Sequence, residues 1–563
     1  MTQLRGVGIG LGVAQGPVAR MAPPLPAPDD APSALSPEEE TSRAREAVGA
    51  VARELEARGT QAGGAAQEVL EAQAMMAEDP TLEEEIDTRL AQGKTAEWAV
   101  HDAFASFRQQ LTALGGYLGE RAADLDDVAQ RVIAQLRGEP APGVPDPGHP
   151  FVLVAKDLAP ADTALLDLDK VLALVTTEGG PTSHTAILAR EKSIVAIVGA
   201  SGAKNLTDGE TVIVDAASGV VTTEPTTDEL DRAATRARAR AEAANAPLTP
   251  GALADGTAVP LLANLGSPAA AAEAVELGAE GVGLFRTEFL FLSASQAPTV
   301  EQQRASYTEL LKAFPGKKVV VRMLDAGADK PLPFLNDAHE DNPALGLRGL
   351  RALRQSEDIL REQLTALSEA HESTRRTPEG PADLWVMAPM VATVEETEYF
   401  VTLAREYDIK TAGVMVEVPS SALLADRVLR HADFASIGTN DLTQYTMAAD
   451  RLLGSVASYQ DPWHPAVLRL VREVGMAGKA NRKPVGICGE AAADPLLAVV
   501  LVGLGATSLS MAPTALADVR ATLLKHTLDD AVRIAEAALA ADDAASARTA
   551  AQTAADREKE TQS

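Results

Sequence analysis

The sequence predicts a multidomain α/β protein ending in a (β/α)8 TIM barrel, and three observations carry that expectation. Beyond residue 250, short β-branched runs alternate with helical stretches about eight times, which is the pattern of a parallel barrel. Ahead of them, a helical block of about a hundred residues is flanked on both sides by strand-rich sequence, so it reads as an insert within one α/β domain. The 563 residues, 46% of them apolar, suffice for several cores.

Residues 4–20, LRGVGIGLGVAQGPVAR, suit short strands and tight turns, and PPLPAPDDAP closes that run. From Ser36, SPEEETSRAREAVGAVARELEAR opens four stretches of strong helix formers with apolar residues at helical spacing, reaching Leu136. Their acidic runs read as solvated faces. After the break GEPAPGVPDPGHP the strand-like runs FVLVA, VLALVTT, SIVAIVG and TVIVDAASGVVT follow. The expected boundaries are therefore 1–30 with 141–225 for a discontinuous α/β domain and 31–140 for its helical insert. A linker over 226–249 contains a charged helix, opened by a Thr226–Glu229 capping box and ended before Pro247. The barrel takes 250–540, through VPLLANL, GVGLFRTEFL, KKVVVRMLDAG, LWVMAPMV, AGVMVEVPS, FASIGTNDL, PVGICGE and SLSMAP. Residues 541–563, rich in Ala, Asp, Thr and Glu, are expected to form a flexible tail.

Eighty acidic against 50 basic side chains give a net charge of -30, which argues against nucleic acid or an anionic membrane as partner and favours basic ones. One cysteine cannot form an internal disulfide, the N-terminus lacks the apolar core of a signal peptide, and no apolar run is long enough to insert in a bilayer. A cytoplasmic protein is expected.

Two places concentrate chemistry. In GGPTSHT, His184 follows the apolar run VLALVTT and precedes the helical AILAR, so it sits at a strand-to-helix turn. Gly179 and Gly180 permit close approach of a ligand, Thr182 and Ser183 can cap the helix, and exposed N–H groups at a helix start favour an anion. An imidazole there is well placed to carry a phosphoryl group. The barrel strands end on Arg286, Arg322, Glu417, Asn440, Asp441 and Cys488, with Arg451 close beyond. The C-terminal rim of such a barrel is where active sites form. Three guanidiniums suit a small multiply charged anion, and two carboxylates suit Mg²⁺. A thiol with an ordinary pKa of about 8.5 is mostly protonated at neutral pH and can donate a proton.

GGPTSHTAILAR, GVGLFRTEFLFL, VVVRMLDAGADKPLP, GVMVEVPS, SIGTNDLTQYTMAADR and GICGE together resemble Enzyme I of the bacterial phosphoenolpyruvate:sugar phosphotransferase system, in order and over nearly the whole chain. The resemblance implies a swivelling phosphohistidine domain with His184 as the phosphorylated residue, and a helical insert that docks the phosphocarrier HPr. It implies a barrel that binds phosphoenolpyruvate and forms a homodimer. Cys488 would be the proton donor; Arg286, Arg322, Asn440, Asp441 and Arg451 would bind phosphoenolpyruvate; Glu417 and Asp441 would hold Mg²⁺. The sequence departs from the pattern at Pro181, Met323, Ala326 and Ala328, while Arg322, Asp325 and Lys330 are kept. Phosphoenolpyruvate synthases and pyruvate-phosphate dikinases resemble the chain too, but need a nucleotide-grasping domain, and no GxxxxGK[ST] loop is present.

Overall fold

The computed structural model describes the chain except residues 1, 11, 23–24, 63, 115–121, 140–142, 146, 159–165, 181–182, 184, 187–188, 190–193, 245, 293–295, 327–331, 333, 336–339, 376, 379, 452 and 563. The chain divides into two compact units, Met1–Ala239 and Arg240–Ser563.

In the first unit, β1 (Thr2–Arg5), β2 (Val7–Ile9) and β3 (Val13–Arg20) share one sheet with β4 (Phe151–Ala155), β5 (Val171–Thr176), β6 (Ala196–Val198), β7 (Thr211–Asp215) and β8 (Val220–Thr223). The strand order is β1-β8-β7-β3-β4-β5-β6-β2. The run β3-β4-β5-β6 is parallel and its flanks are antiparallel. FVLVA is apolar throughout because both its faces are covered: Phe151 and Leu153 join one core cluster, Val152 and Val154 the other.

Between the paired strands β3 and β4, the described residues form five helices, α1 (Pro37–Ala62), α2 (Gly64–Ala77), α3 (Pro80–Ala91), α4 (Ala96–Leu114) and α5 (Ala122–Arg137). They bury a core of their own that includes Leu55, Leu70, Leu90, Phe104 and Val132. Asp79 starts α3 by accepting from the N–H groups of Thr81 and Leu82, with Pro80 in the first helical position. Helix α6 (Thr227–Ala244) opens on the Thr226–Glu229 capping box, the Glu229 carboxylate accepting from Thr226 N at 2.8 Å.

The second unit is a closed barrel of parallel strands: β9 (Leu261–Leu265), β10 (Val282–Phe285), β11 (Lys318–Arg322), β12 (Asp383–Ala388), β13 (Thr411–Val416), β14 (Ala435–Ile437), β15 (Val485–Ile487) and β16 (Ser508–Met511). Strand β16 pairs back onto β9. The two-residue period of a strand sorts β11: Val319 and Val321 join the large core shared with the outer helices, whereas Val320 joins a smaller cluster with Leu284, Met387, Met415, Phe434 and Cys488. Arg322 is in phase with Val320 and ends the strand.

The expected tail 541–563 is corrected. Ala544–Gln562 is a helix, and Ala547, Ala551 and Ala555, one per turn, are buried in the barrel unit's core. Small residues at four-residue spacing give a helix a face that packs closely. Arg548 adds an ion pair to Asp494 at 3.4 Å and stands 5.3 Å over the Trp463 ring. Among the described residues, no helix is long and apolar enough to cross a membrane.

Candidate active site

The barrel rim gathers charge that burial would forbid without pairing. Arg322, at the end of β11, is 5% exposed, and its guanidinium meets three carboxylates. One Nη bonds Glu288 Oε1; the other lies 3.5 Å from Asp325 Oδ2 and 3.8 Å from Glu417 Oε1. Burial pulls the guanidinium's pKa down, but Glu288, Asp325, Glu417 and Asp441 outweigh it, and the net shift is upward. Its Nε has no hydrogen-bond partner among the described residues.

Glu417 follows β13 directly and is fully buried. Its Oε2 accepts from Met390 N at 2.9 Å, while the buried Oε1 lacks a hydrogen-bond partner among the described residues. Burial, then Asp441 and Asp325, push its carboxyl up to about 8 against the pull of Arg322.

Asn440 and Asp441 lie in the first turn of helix Thr439–Met447, which follows β14. Asp441 accepts from Arg348 Nη1 at 3.3 Å and from Arg451 Nη1 at 3.1 Å. Asn440 Oδ1 accepts from Glu490 N at 3.0 Å, tying this turn to the loop after β15. That loop carries Cys488, buried, with its thiol 3.5 Å from Ile437 O. Gly489 allows the approach, since a Cβ there would lie 2.5 Å from Thr439 N. Burial pushes the Cys488 thiol up to about 11, against the lowering influence of Ser436, with Glu417, Arg322 and Arg286 also acting on it. Arg286, after β10, is shifted down by burial and then by Arg322, so an anion at the rim would relieve it.

The rim therefore brings together Arg322, Glu417, Asp441 and Arg451 by direct contact or ion pairing, with Arg286 and Cys488 within their field and Asn440 bracing the floor. Arg348, 2% exposed, completes the network by also donating to Asp325 at 3.0 Å, and Glu288 anchors Arg322. Sequence reasoning gave neither a role. GLRGLRALR offers Arg348, Arg351 and Arg354 at equal spacing, and only the fold buries the first.

His184, with Pro181 and Thr182, lies outside the described residues, as do Ala328 and Lys330. Around the histidine position, Thr185 Oγ1 donates to Asp157 Oδ1 at 2.6 Å, and Leu158 N donates to Asp157 Oδ1 at 2.9 Å. Ala186 N donates to Ser183 Oγ at 3.3 Å, and Gly179 adopts φ 88°, a conformation glycine accepts readily.

The described residues hold no group of three or more His, Cys, Asp or Glu side chains arranged as a metal site. Glu417 and Asp441 nevertheless suit Mg²⁺, which is usually held by one or two carboxylates with substrate oxygens and water, and Glu417 Oε1, buried without a hydrogen bond among the described residues, is an atom such an ion would satisfy.

Three family descriptions match the chain: PEP-utilising enzyme, PEP-binding domain over 240–528; PEP-utilising enzyme, N-terminal over 5–121; and PEP-utilising enzyme, mobile domain over 147–219. The barrel unit is thus a domain of a phosphoenolpyruvate-utilising enzyme. A phosphoenolpyruvate-protein phosphotransferase of Streptomyces coelicolor is 54% identical over 554 residues, 98% of this chain and 99% of that one. Another, of Haloferax volcanii, is 40% identical over 84% of each chain. A solution NMR structure of Enzyme I, 31% identical, covers 42% of this chain and is 98% covered itself, with a TM-score of 0.38. The chain belongs to the phosphoenolpyruvate-protein phosphotransferase family, the Enzyme I family.

Proposed function

We propose that the chain transfers the phosphoryl group of phosphoenolpyruvate to His184, releases pyruvate, and passes the group to the histidine of HPr for sugar uptake. The buried guanidinium–carboxylate network at the rim carries this reading: Arg322 and Arg348 bridge Glu288, Asp325, Glu417 and Asp441 at the one end of the barrel where substrates bind. Arg286, Arg322 and Arg451, with Asn440 and Asp441, bind the phosphate and carboxylate of the substrate, positioning it and countering its charge. Glu417 and Asp441 hold Mg²⁺, which when bound neutralises phosphate and enolate oxygens. A neutral His184 ring nitrogen forms the N–P bond as the bond from phosphorus to the enol oxygen breaks. Cys488, a thiol at neutral pH, gives its proton to the methylene carbon, and the resulting ketone no longer serves as a good acceptor.

The second transfer needs the His184 ring to meet the HPr histidine, and we assign the docking surface to helices α1–α5. We place the reaction in the cytoplasm, where a single thiol needs no disulfide partner, and assign dimerisation to the barrel unit, whose Leu423 and Met476 are 65% and 50% exposed. The test is a rapid-quench measurement with phosphoenolpyruvate and Mg²⁺. A burst of one pyruvate per chain is expected, lost in Glu417→Gln; a folded chain that releases no pyruvate would sink the reading.

A further inference from the structure

Beneath the rim, beside the cluster of Val320 and Phe434, the barrel interior keeps a small cavity. Such interiors are ordinarily packed by layers of bulky branched side chains, yet Gly283, Gly486, Ser436, Ser508 and Ser510 line a cavity here together with Lys318. The cavity has room for about one water molecule, and the hydroxyls supply the polar partners that a buried water requires. Gly486 keeps the space open: a Cβ there would lie 3.1 Å from Ser508 Oγ and 3.9 Å from Ser436 Oγ.

The two ends of the cavity differ. Lys318 is the first residue of β11, so it stands at the N-terminal end of the barrel, away from the rim. Its half-buried side chain holds Nζ 3.9 Å from the Trp385 ring centroid and 5.8 Å from that of Phe434. Towards the rim, Ser436 lines the cavity with Val320 and Phe434, and Cys488 packs in one cluster with those two side chains. After Cys488 gives up its proton, Glu417, Arg322 and Arg286 act on it from the rim among the described residues. Arginines do not release protons at working pH, and Glu417 is committed to the metal.

We propose that Lys318, the cavity and the Ser436 hydroxyl form a proton path that resupplies Cys488 from the N-terminal end of the barrel after each turnover. The path rests on the reading of Cys488 as proton donor. A Lys318 N–H bond breaks as a water in the cavity takes the proton; that water passes one to Ser436 Oγ, and Ser436 gives its own to the thiolate, forming S–H. Lys318 is left a neutral amine and takes a proton from solvent, so nothing is oxidised or reduced. The direction is downhill. Burial lowers the Lys318 ammonium to about 8, against the opposing pull of Asp383 and Cys488, while burial raises the thiol to about 11.

The experiment follows pyruvate by rapid quench in the full chain with phosphoenolpyruvate, Mg²⁺ and HPr as acceptor, so that successive turnovers are seen. In Lys318→Met the first pyruvate per site should form at the wild-type rate, because the thiol starts protonated, and later turnovers should slow at least about tenfold. Lys318→Arg, which keeps the charge over Trp385 but cannot release a proton, should be as slow. Lys318→His should recover turnover with a pH profile displaced to lower pH. Gly486→Ala, which leaves Lys318 in place and narrows the cavity, should slow later turnovers alone. Wild-type steady-state turnover in Lys318→Met, full recovery in Lys318→Arg, or equal slowing of the first turnover would overturn the path. A wild-type chain without any pyruvate burst would instead overturn the reading of the site on which the path depends.

Discussion

Replacing Arg322 by lysine preserves its charge and removes its fork. The guanidinium now reaches Glu288, Asp325 and Glu417 at once, with Nε left over for a ligand. An ammonium is a single point whose donors radiate from one nitrogen, so a lysine in place of Arg322 can keep one carboxylate and loses the planar grip on phosphate. Each charge-assisted hydrogen bond is worth about 1.5–3 kcal/mol. Losing one in the transition state costs about 1.5–3 kcal/mol, which at about 1.4 kcal/mol per decade lowers kcat/KM between about 10-fold and 150-fold. The assay is pyruvate formation over a range of phosphoenolpyruvate concentrations, with unfolding of the barrel followed in parallel by tryptophan fluorescence. A folded Arg322→Lys chain with wild-type kcat/KM would refute the assignment.

Cys488 makes barrel stability depend on alkaline pH. Folding favours its protonated form, so its contribution is fully present below the ordinary thiol value of about 8.5 and is lost as pH rises towards about 11, a fall of about 3 kcal/mol. Urea midpoints of the wild type should drop across that window more than those of Cys488→Ala, and parallel profiles would count against the burial argument. Thr185→Val removes a donor to Asp157, a loss of about 0.5–1.5 kcal/mol; phosphorylation of the chain should slow several-fold while phosphoenolpyruvate binding, measured by calorimetry, is unchanged. Unchanged phosphorylation would show that the Thr185–Asp157 bond does not position the histidine turn. Deleting residues 544–562 should lower the barrel's Tm by at least about 2 °C, since it uncovers surface now buried by Ala547, Ala551 and Ala555; an unaltered Tm would restore the picture of a mobile tail.

The barrel was legible because a parallel strand buried on both faces leaves an apolar run, as KKVVVR does for β11, and because charged residues that end such runs lie at one rim. Arg322, Glu417 and Asp441 were found that way. Arg348 was not: its burial depends on a loop in which Gly349 adopts φ 57°, and nothing in three arginines spaced three apart marks one as interior. Glu288 was hidden for a related reason, since an acidic residue just after a strand is usually a solvated one. The C-terminal helix was missed because alanine is a strong helix former but weakly apolar, so a stripe of alanines among charged residues has the composition of a tail. His184 is the opposite case: its chemistry is read from GGPTSHT alone, from a histidine placed where glycines and a helix start favour an anion.

The central claim, that phosphoenolpyruvate phosphorylates this chain on His184, is tested most directly by incubating it with phosphoenolpyruvate labelled in the phosphate and Mg²⁺, then mapping the label by peptide digestion. One acid-labile, base-stable label per chain on the peptide containing His184, absent from a folded His184→Ala chain, is the expected result. Label on another peptide, or label that persists in His184→Ala, would contradict it.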